Sequence, residues 1–155
     1  MHRIGIVPFD IRGDAVALLF VTSQTRGRWI LPKGNPKKNE TQEDVCHREG
    51  FEEAGVRGIV LSDFPMTSVI GRQTDKGIEK IPVTYYPMLV QEQVDTWPEV
   101  EKRERHWTLM KDAKKVVYRD DLRAVLDNFE DLLPWIKTAS EHYISQQPEA
   151  QKLAP

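Results

Sequence analysis

Glu49, Glu52 and Glu53 fall within five residues, in the stretch REGFEEAGV from Arg48 to Val56. The segment that carries them has clear helix punctuation. Thr41 is an N-cap candidate with the acidic Asp44 three positions later, a variant of the capping box. Gly55 supplies a C-terminal stop. A helix from Thr41 to about Ala54 follows. Each helical residue turns ~100°, so glutamates at i, i+3 and i+4 share one face. Each exposed like-charge pair costs a few tenths of a kcal/mol, and burial raises that cost sharply. The fold must therefore leave this face in water or set a cation against it. Arg48 is one candidate. A divalent cation is another, and oxygen ligands suit hard ions such as Mg²⁺ or Mn²⁺.

The segment leading into the helix bears on that choice. PKGNPKKN, residues 32–39, is a loop dense in Pro, Gly, Asn and Lys. Such a loop presents backbone N–H groups and positive charge to a phosphate. Carboxylates that hold a metal beside a phosphate loop form the arrangement needed to cleave a phosphoanhydride. Alone, EGFEE reads first as a solvated acidic face.

Elsewhere the chain alternates short apolar strands with polar turns. RIGIVPFD, DAVALLFVTS, the short WIL, VRGIVLSDF, MTSVIG, IPVTYYPMLV and RHWTLM read as strands. RQTDKGIEK, residues 72–80, reads as a polar turn, and Pro82 and Pro87 put the following strand at an edge or near bends. KDAKKVV begins a helical pattern. DDLRAVLDNFEDLL carries apolar residues on one helical face, and Pro134 is placed to open a further helical segment at its first position. The tail from Gln146 is expected to be disordered. Strands, a central helix, more strands and C-terminal helix indicate one α+β domain over residues 1–145, layered α/β/α.

With 155 residues the chain is the size of one ordinary domain. Lys+Arg 22 against Asp+Glu 24 gives a net charge of -2, so nothing points to nucleic acid or to an anionic membrane. Cys46 is the one cysteine, which excludes an intrachain disulfide. No apolar run approaches the ~18 residues of a membrane span. A reducing, cytoplasmic location is the default.

The spacing from Gly34 through Glu40, Arg48-Glu49 and Glu52-Glu53 to Gly55-Val56 resembles the Nudix box, the signature of the Nudix hydrolases. The resemblance implies a Nudix α/β/α sandwich with a mixed central sheet. It also implies metal-dependent hydrolysis of a phosphoanhydride by metal-activated water, with Mg²⁺ as cofactor and Mn²⁺ possible. By the same resemblance Glu52 and Glu53 are metal ligands, and Glu49 is a third ligand or the base. Arg48 orients the carboxylates, and Gly34 lends its carbonyl to the metal. Glu40 braces the loop. A later acidic residue often completes such a site; Glu99, Glu101 and Glu104 are candidates, and Glu101 is taken. Gly50 departs from the pattern, which has an apolar side chain there, and Asn39 stands where many relatives have Gly.

RWILPKG followed by EEAGVRG resembles the branch that hydrolyses diphosphoinositol polyphosphates and diadenosine polyphosphates. Such small, phosphate-rich substrates need cations near the metal. Arg28 and Lys33 flank the loop and are the substrate-binding candidates. Arg26, Lys37, Lys38, Arg72, Lys76, Lys80, Lys102, Arg103 and Arg105 read for the most part as solubilising surface charge. Cys46, His47, His106, Trp29 and Trp107 are assigned to packing or surface roles. The alternatives are a Nudix module that senses a nucleotide without cleaving it and a pyrophosphatase acting on nucleoside triphosphates or nucleotide sugars. A monomer and a homodimer are both compatible with the sequence.

Overall fold

The computed structural model of the chain describes residues 2–146. The strands are β1 (Arg3–Arg12), β2 (Ala15–Thr22), β3 (Trp29–Ile30), β4 (Lys33–Gly34), β5 (Val56–Val60), β6 (Met66–Thr74), β7 (Gly77–Gln93) and β8 (Arg105–Leu109). The helices are α1 (Gln42–Ala54), α2 (Met110–Val116) and α3 (Asp120–Gln146).

β1 and β7 pair in parallel, from Arg3↔Val83 to Phe9↔Leu89. Around this centre the other pairings are antiparallel: β2 and the short β4 on β1, β3 and β8 on β2, and β5 and β6 on β7. The sheet is thus mixed. Alternate residues of the strands point to opposite faces, and each face has its own core. Ile4, Ile6, Leu19, Val21, Tyr86, Met88 and Val90 pack with Val45, Cys46 and Ala54 of α1. Val7, Phe9, Leu18, Phe20, Val83, Tyr85 and Leu89 pack with Leu122, Val125, Leu126 and Phe129 of α3. The fold is the α/β/α sandwich, of α+β class, expected from the sequence.

Three expectations are narrowed or change. Within residues 72–80 the turn is confined to Asp75 and Lys76; β6 and β7 flank it, with Arg72 opposite Glu79 and Thr74 opposite Gly77. β7 is internal where β1 flanks it, from Val83 to Leu89, while at Pro82 it pairs with β6 alone. Its prolines sit where the ladder changes partner. Pro82 lies one residue before β1 pairing begins at Val83, and Pro87 falls between the last β6 partner, Tyr85, and the first β5 partner, Met88. A missing N–H disturbs a ladder least at such junctions. Pro134, finally, opens no new helix; it lies inside α3. Ile136 and Ser140 are fully buried, so the same apolar face continues past the proline. Packing thus outweighs the ~3 kcal/mol that proline costs in an unsupported helix. The tail expected from Gln146 onward lies, apart from Gln146 itself, outside the described residues.

Gly50 explains the missing apolar side chain of its position. A Cβ there would stand 2.9 Å from Ile6 Cδ1 and 3.4 Å from Met88 Cε. The sheet side chains already fill the space, and α1 lies close against them. Gly50→Leu is expected to destabilise the protein by about 1–3 kcal/mol through overpacking. Adding Ile6→Val should restore part of that loss, read as melting temperature.

Candidate functional site

The box helix begins as its sequence dictates. The Thr41 hydroxyl accepts from the Asp44 amide at 3.1 Å, and Asp44 accepts from the Thr41 amide at 3.0 Å. Gly55 closes the helix at φ 67°. In the loop ahead of it, Asn39 takes the left-handed conformation at φ 68°, which Asn tolerates better than most residues.

Arg48 joins loop to helix. Its Nε and Nη2 donate to the two oxygens of Glu40 at 2.7 and 2.9 Å, and Nη2 also donates to the Asn35 carbonyl at 3.0 Å. Nη1 donates to Glu49 and lies 3.5 Å from Glu52. Glu40 in turn accepts from the Lys37 amide at 2.7 Å. These bonds, the Arg48 guanidinium first, hold the Glu40 carboxyl well below its ordinary range, at about 2. Glu40 is therefore a brace between the lysine loop and α1.

The sheet side of α1 is different. Glu49 and Glu53 are buried, at 8% and 3% exposure, while Glu52 is half-buried. Burial pushes the Glu53 carboxyl up, to about 9, and the neighbouring Glu49 adds to the rise. Arg103 acts in the opposite sense from 3.5 Å. Its Nε is 2.7 Å from Glu99, so its charge is already shared, and the upward shift prevails. Gly34 faces the same carboxyls: a Cβ on Gly34 would overlap the Glu49 carboxylate. Only a glycine lets the loop backbone come this close.

Among the described residues, no three carboxylate, imidazole or thiolate side chains form a ready-made metal cage. Arg48 and Arg103 hold the glutamates individually. The donor set nevertheless fits a hard divalent cation. It consists of carboxylate oxygens beside a backbone that approaches to contact distance, and Glu49 and Glu53 lie together at a depth where two negative charges are costly.

Lys33 lies in the short β4, beside this group; burial lowers its ammonium pKa and the Glu53 charge opposes that. Arg28 stacks on the Tyr118 ring at 3.7 Å. Glu101 is exposed and lines a polar recess of about 320 Å³ with Ser23, Gln24, Lys102 and Arg103. Of the three acidic candidates, Glu99 bonds to the box helix: its amide donates to the Glu52 carbonyl at 3.1 Å. Glu99 also accepts from Gln24 at 3.1 Å. The signal for it was the i, i+4 spacing of Glu99 and Arg103. Arg103, one of the cations read as surface charge, is bound between Glu99, Glu53 and the Thr22 carbonyl. Arg72 is exposed and paired with Glu79. Cys46 is buried, and burial pushes its thiol up to about 12, so it is a packing group. His47 lies 3.6 Å from Glu43, and His106 packs on Trp29.

Residues 1–129 match the family profile of the NUDIX domain. The chain belongs to the Nudix family. Among curated Nudix proteins, it is 32% identical over 106 residues to Nudix hydrolase 16, mitochondrial, of Arabidopsis thaliana, covering 65% of this chain and 58% of the relative. It is 30% identical over 117 residues to diphosphoinositol polyphosphate phosphohydrolase 3-beta of Bos taurus, covering 74% of this chain and 68% of that protein. The chain spans 58% to 64% of the length of the first plant Nudix relatives. Among solved structures, a Caenorhabditis elegans Ap4A hydrolase binary complex superposes with a TM-score of 0.70 at 19% identity, covering 86% of this chain and 97% of the other. That likeness is one of fold, the Nudix sandwich.

The raised Glu53 pKa has a defined consequence for stability. The folded protein keeps a proton that the unfolded chain releases near 4.5, so stability falls as pH rises from about 5 through the folded pKa. In chelator, the melting temperature of the wild-type protein should fall over this range. Glu53→Gln, which cannot titrate, should give a flatter profile.

Proposed function

We propose that this Nudix domain hydrolyses a phosphoanhydride bond in a small phosphate-rich substrate, of the diadenosine polyphosphate or diphosphoinositol polyphosphate kind, with Mg²⁺ or Mn²⁺ as cofactor. The observation that carries the reading is the burial of Glu49 and Glu53 side by side against the Gly34 backbone. A divalent cation would there take the place of the retained proton. Glu49, Glu52, Glu53 and the Gly34 carbonyl would hold it, and when bound it neutralises phosphate charge and lowers the pKa of an attacking water.

The chain's own residues supply the rest. Arg48 keeps Glu49 and Glu52 oriented from one side. Arg103 does the same for Glu53 from the other, and Glu99 takes the place first given to Glu101 as the later acidic residue. Lys33, close enough to Glu53 to feel its charge, and Arg28, stacked on Tyr118, would offer cations to a polyphosphate. The bovine relative's name and the RWILPKG motif favour this substrate class over simple triphosphates. Positioning and electrostatics account for most of the rate in such chemistry. The single cysteine, buried and free, suits a reducing compartment, for which we propose the cytoplasm.

The test is a phosphate-release assay with Mg²⁺ on diadenosine tetraphosphate, a diphosphoinositol polyphosphate and a nucleoside triphosphate. One of the first two should be cleaved fastest. Cleavage of the triphosphate alone would overturn the substrate class. Glu53→Gln should fold and lose about 100-fold or more in kcat at saturating Mg²⁺, and unchanged turnover would remove the metal reading.

A further inference from the structure

The last turn of α1 carries Glu52 and Glu53, and its terminal carbonyls face away from any helical partner. Each is taken up by the segment running from residue 94 to 105. The Glu99 amide donates to Glu52 O at 3.1 Å. The Trp97 indole Nε1 donates to Glu53 O at 3.0 Å. Arg105 Nη1 donates to Ala54 O at 2.9 Å. The Val94 amide donates to Gly55 O at 2.9 Å. Trp97 is buried at 8% exposure, and the Arg105 guanidinium lies on its ring, 4.0 Å from the centroid.

This is more than closure of a helix end. The C-terminus of a helix carries partial negative charge, and acidic side chains there are unfavourable. The last turn of α1 holds two glutamates and no basic residue. Arg105, from the start of β8, provides the compensating cation. A Cβ on Gly55 would stand 2.8 Å from Arg105 Nη1 and 3.0 Å from Trp97 Cβ, so the contact is tight. The backbone that carries Glu52 and Glu53 is thereby pinned at the carbonyls of those same residues and of Ala54.

We propose that Trp97 and Arg105 are positioning residues of this Nudix domain: by holding the Glu53 and Ala54 carbonyls they fix where the box carboxylates stand, and so set the affinity of the box for its divalent cation. Both act through the backbone of α1. The proposal rests on the metal reading above and goes beyond it by assigning a role to two residues outside the box.

The experiment titrates Mn²⁺ into the metal-free protein, without substrate, and follows free Mn²⁺ by electron paramagnetic resonance. Trp97→Phe keeps a ring beneath Arg105 and removes the indole donor. Arg105→Lys keeps the charge and removes the guanidinium geometry. Each is expected to weaken Mn²⁺ binding about tenfold, as loss of an outer-shell partner does, while KM at saturating metal stays unchanged. A melting temperature that falls with Mn²⁺ affinity unchanged would make the contacts merely structural and overturn the proposal. If Trp97→Phe does not fold, Arg105→Lys decides. Glu53→Gln is the control that should abolish binding. Absence of Mn²⁺ binding in the wild-type protein would overturn the metal reading itself, and the proposal with it, before any variant is compared.

Discussion

Two carboxylates held out of water on one turn of helix set the terms for everything around them. Glu49 and Glu53 are buried beside each other, and a pair so placed is costly unless cations and donors surround it. Arg48 approaches from the loop side and Arg103 from the opposite side. Glu40 neutralises the remainder of Arg48, and Glu99 that of Arg103. The box is thus two arginine–glutamate clamps closed on one helix. The sheet, with the close approach allowed by Gly50, supplies the wall they are pressed against.

Much of this was readable because it is local. The Thr41–Asp44 cap, the Gly55 stop and the three glutamates on one face depend on spacings of three or four residues, and the structure has them where spacing put them. The strands followed from alternation and apolar runs. The limits of the reading were also physical. Residues 72–80 look like a turn throughout because they are polar, yet only Asp75 and Lys76 turn, and the strand residues on either side are polar because most are exposed. Pro134 marks a boundary only if tertiary packing does not hold the helix across it, and Ile136 does.

Long-range pairing was the harder part. Nothing near Glu99 announces that its amide will meet Glu52, or that Trp97 will bond the Glu53 carbonyl. Glu101 and Glu99 differ by two positions, and the choice between them turns on how the connection winds after Pro98. The Glu99–Arg103 spacing hinted at the answer because a paired acid and base one helical turn apart stiffen a connection and aim it.

The parallel pairing of β1 with β7 has a temporal meaning. Its partners are some eighty residues apart in the chain, from Arg3↔Val83 to Phe9↔Leu89, and closing so long a loop precedes any gain from it. On a ribosome the box helix is complete once Ala54 has emerged, but the strand that walls it arrives with residue 89 and the segment that closes its end with residue 105. In the interval the acidic face stands in water, where its charges cost little. The same three glutamates that need partners in the finished protein keep the unfinished one soluble.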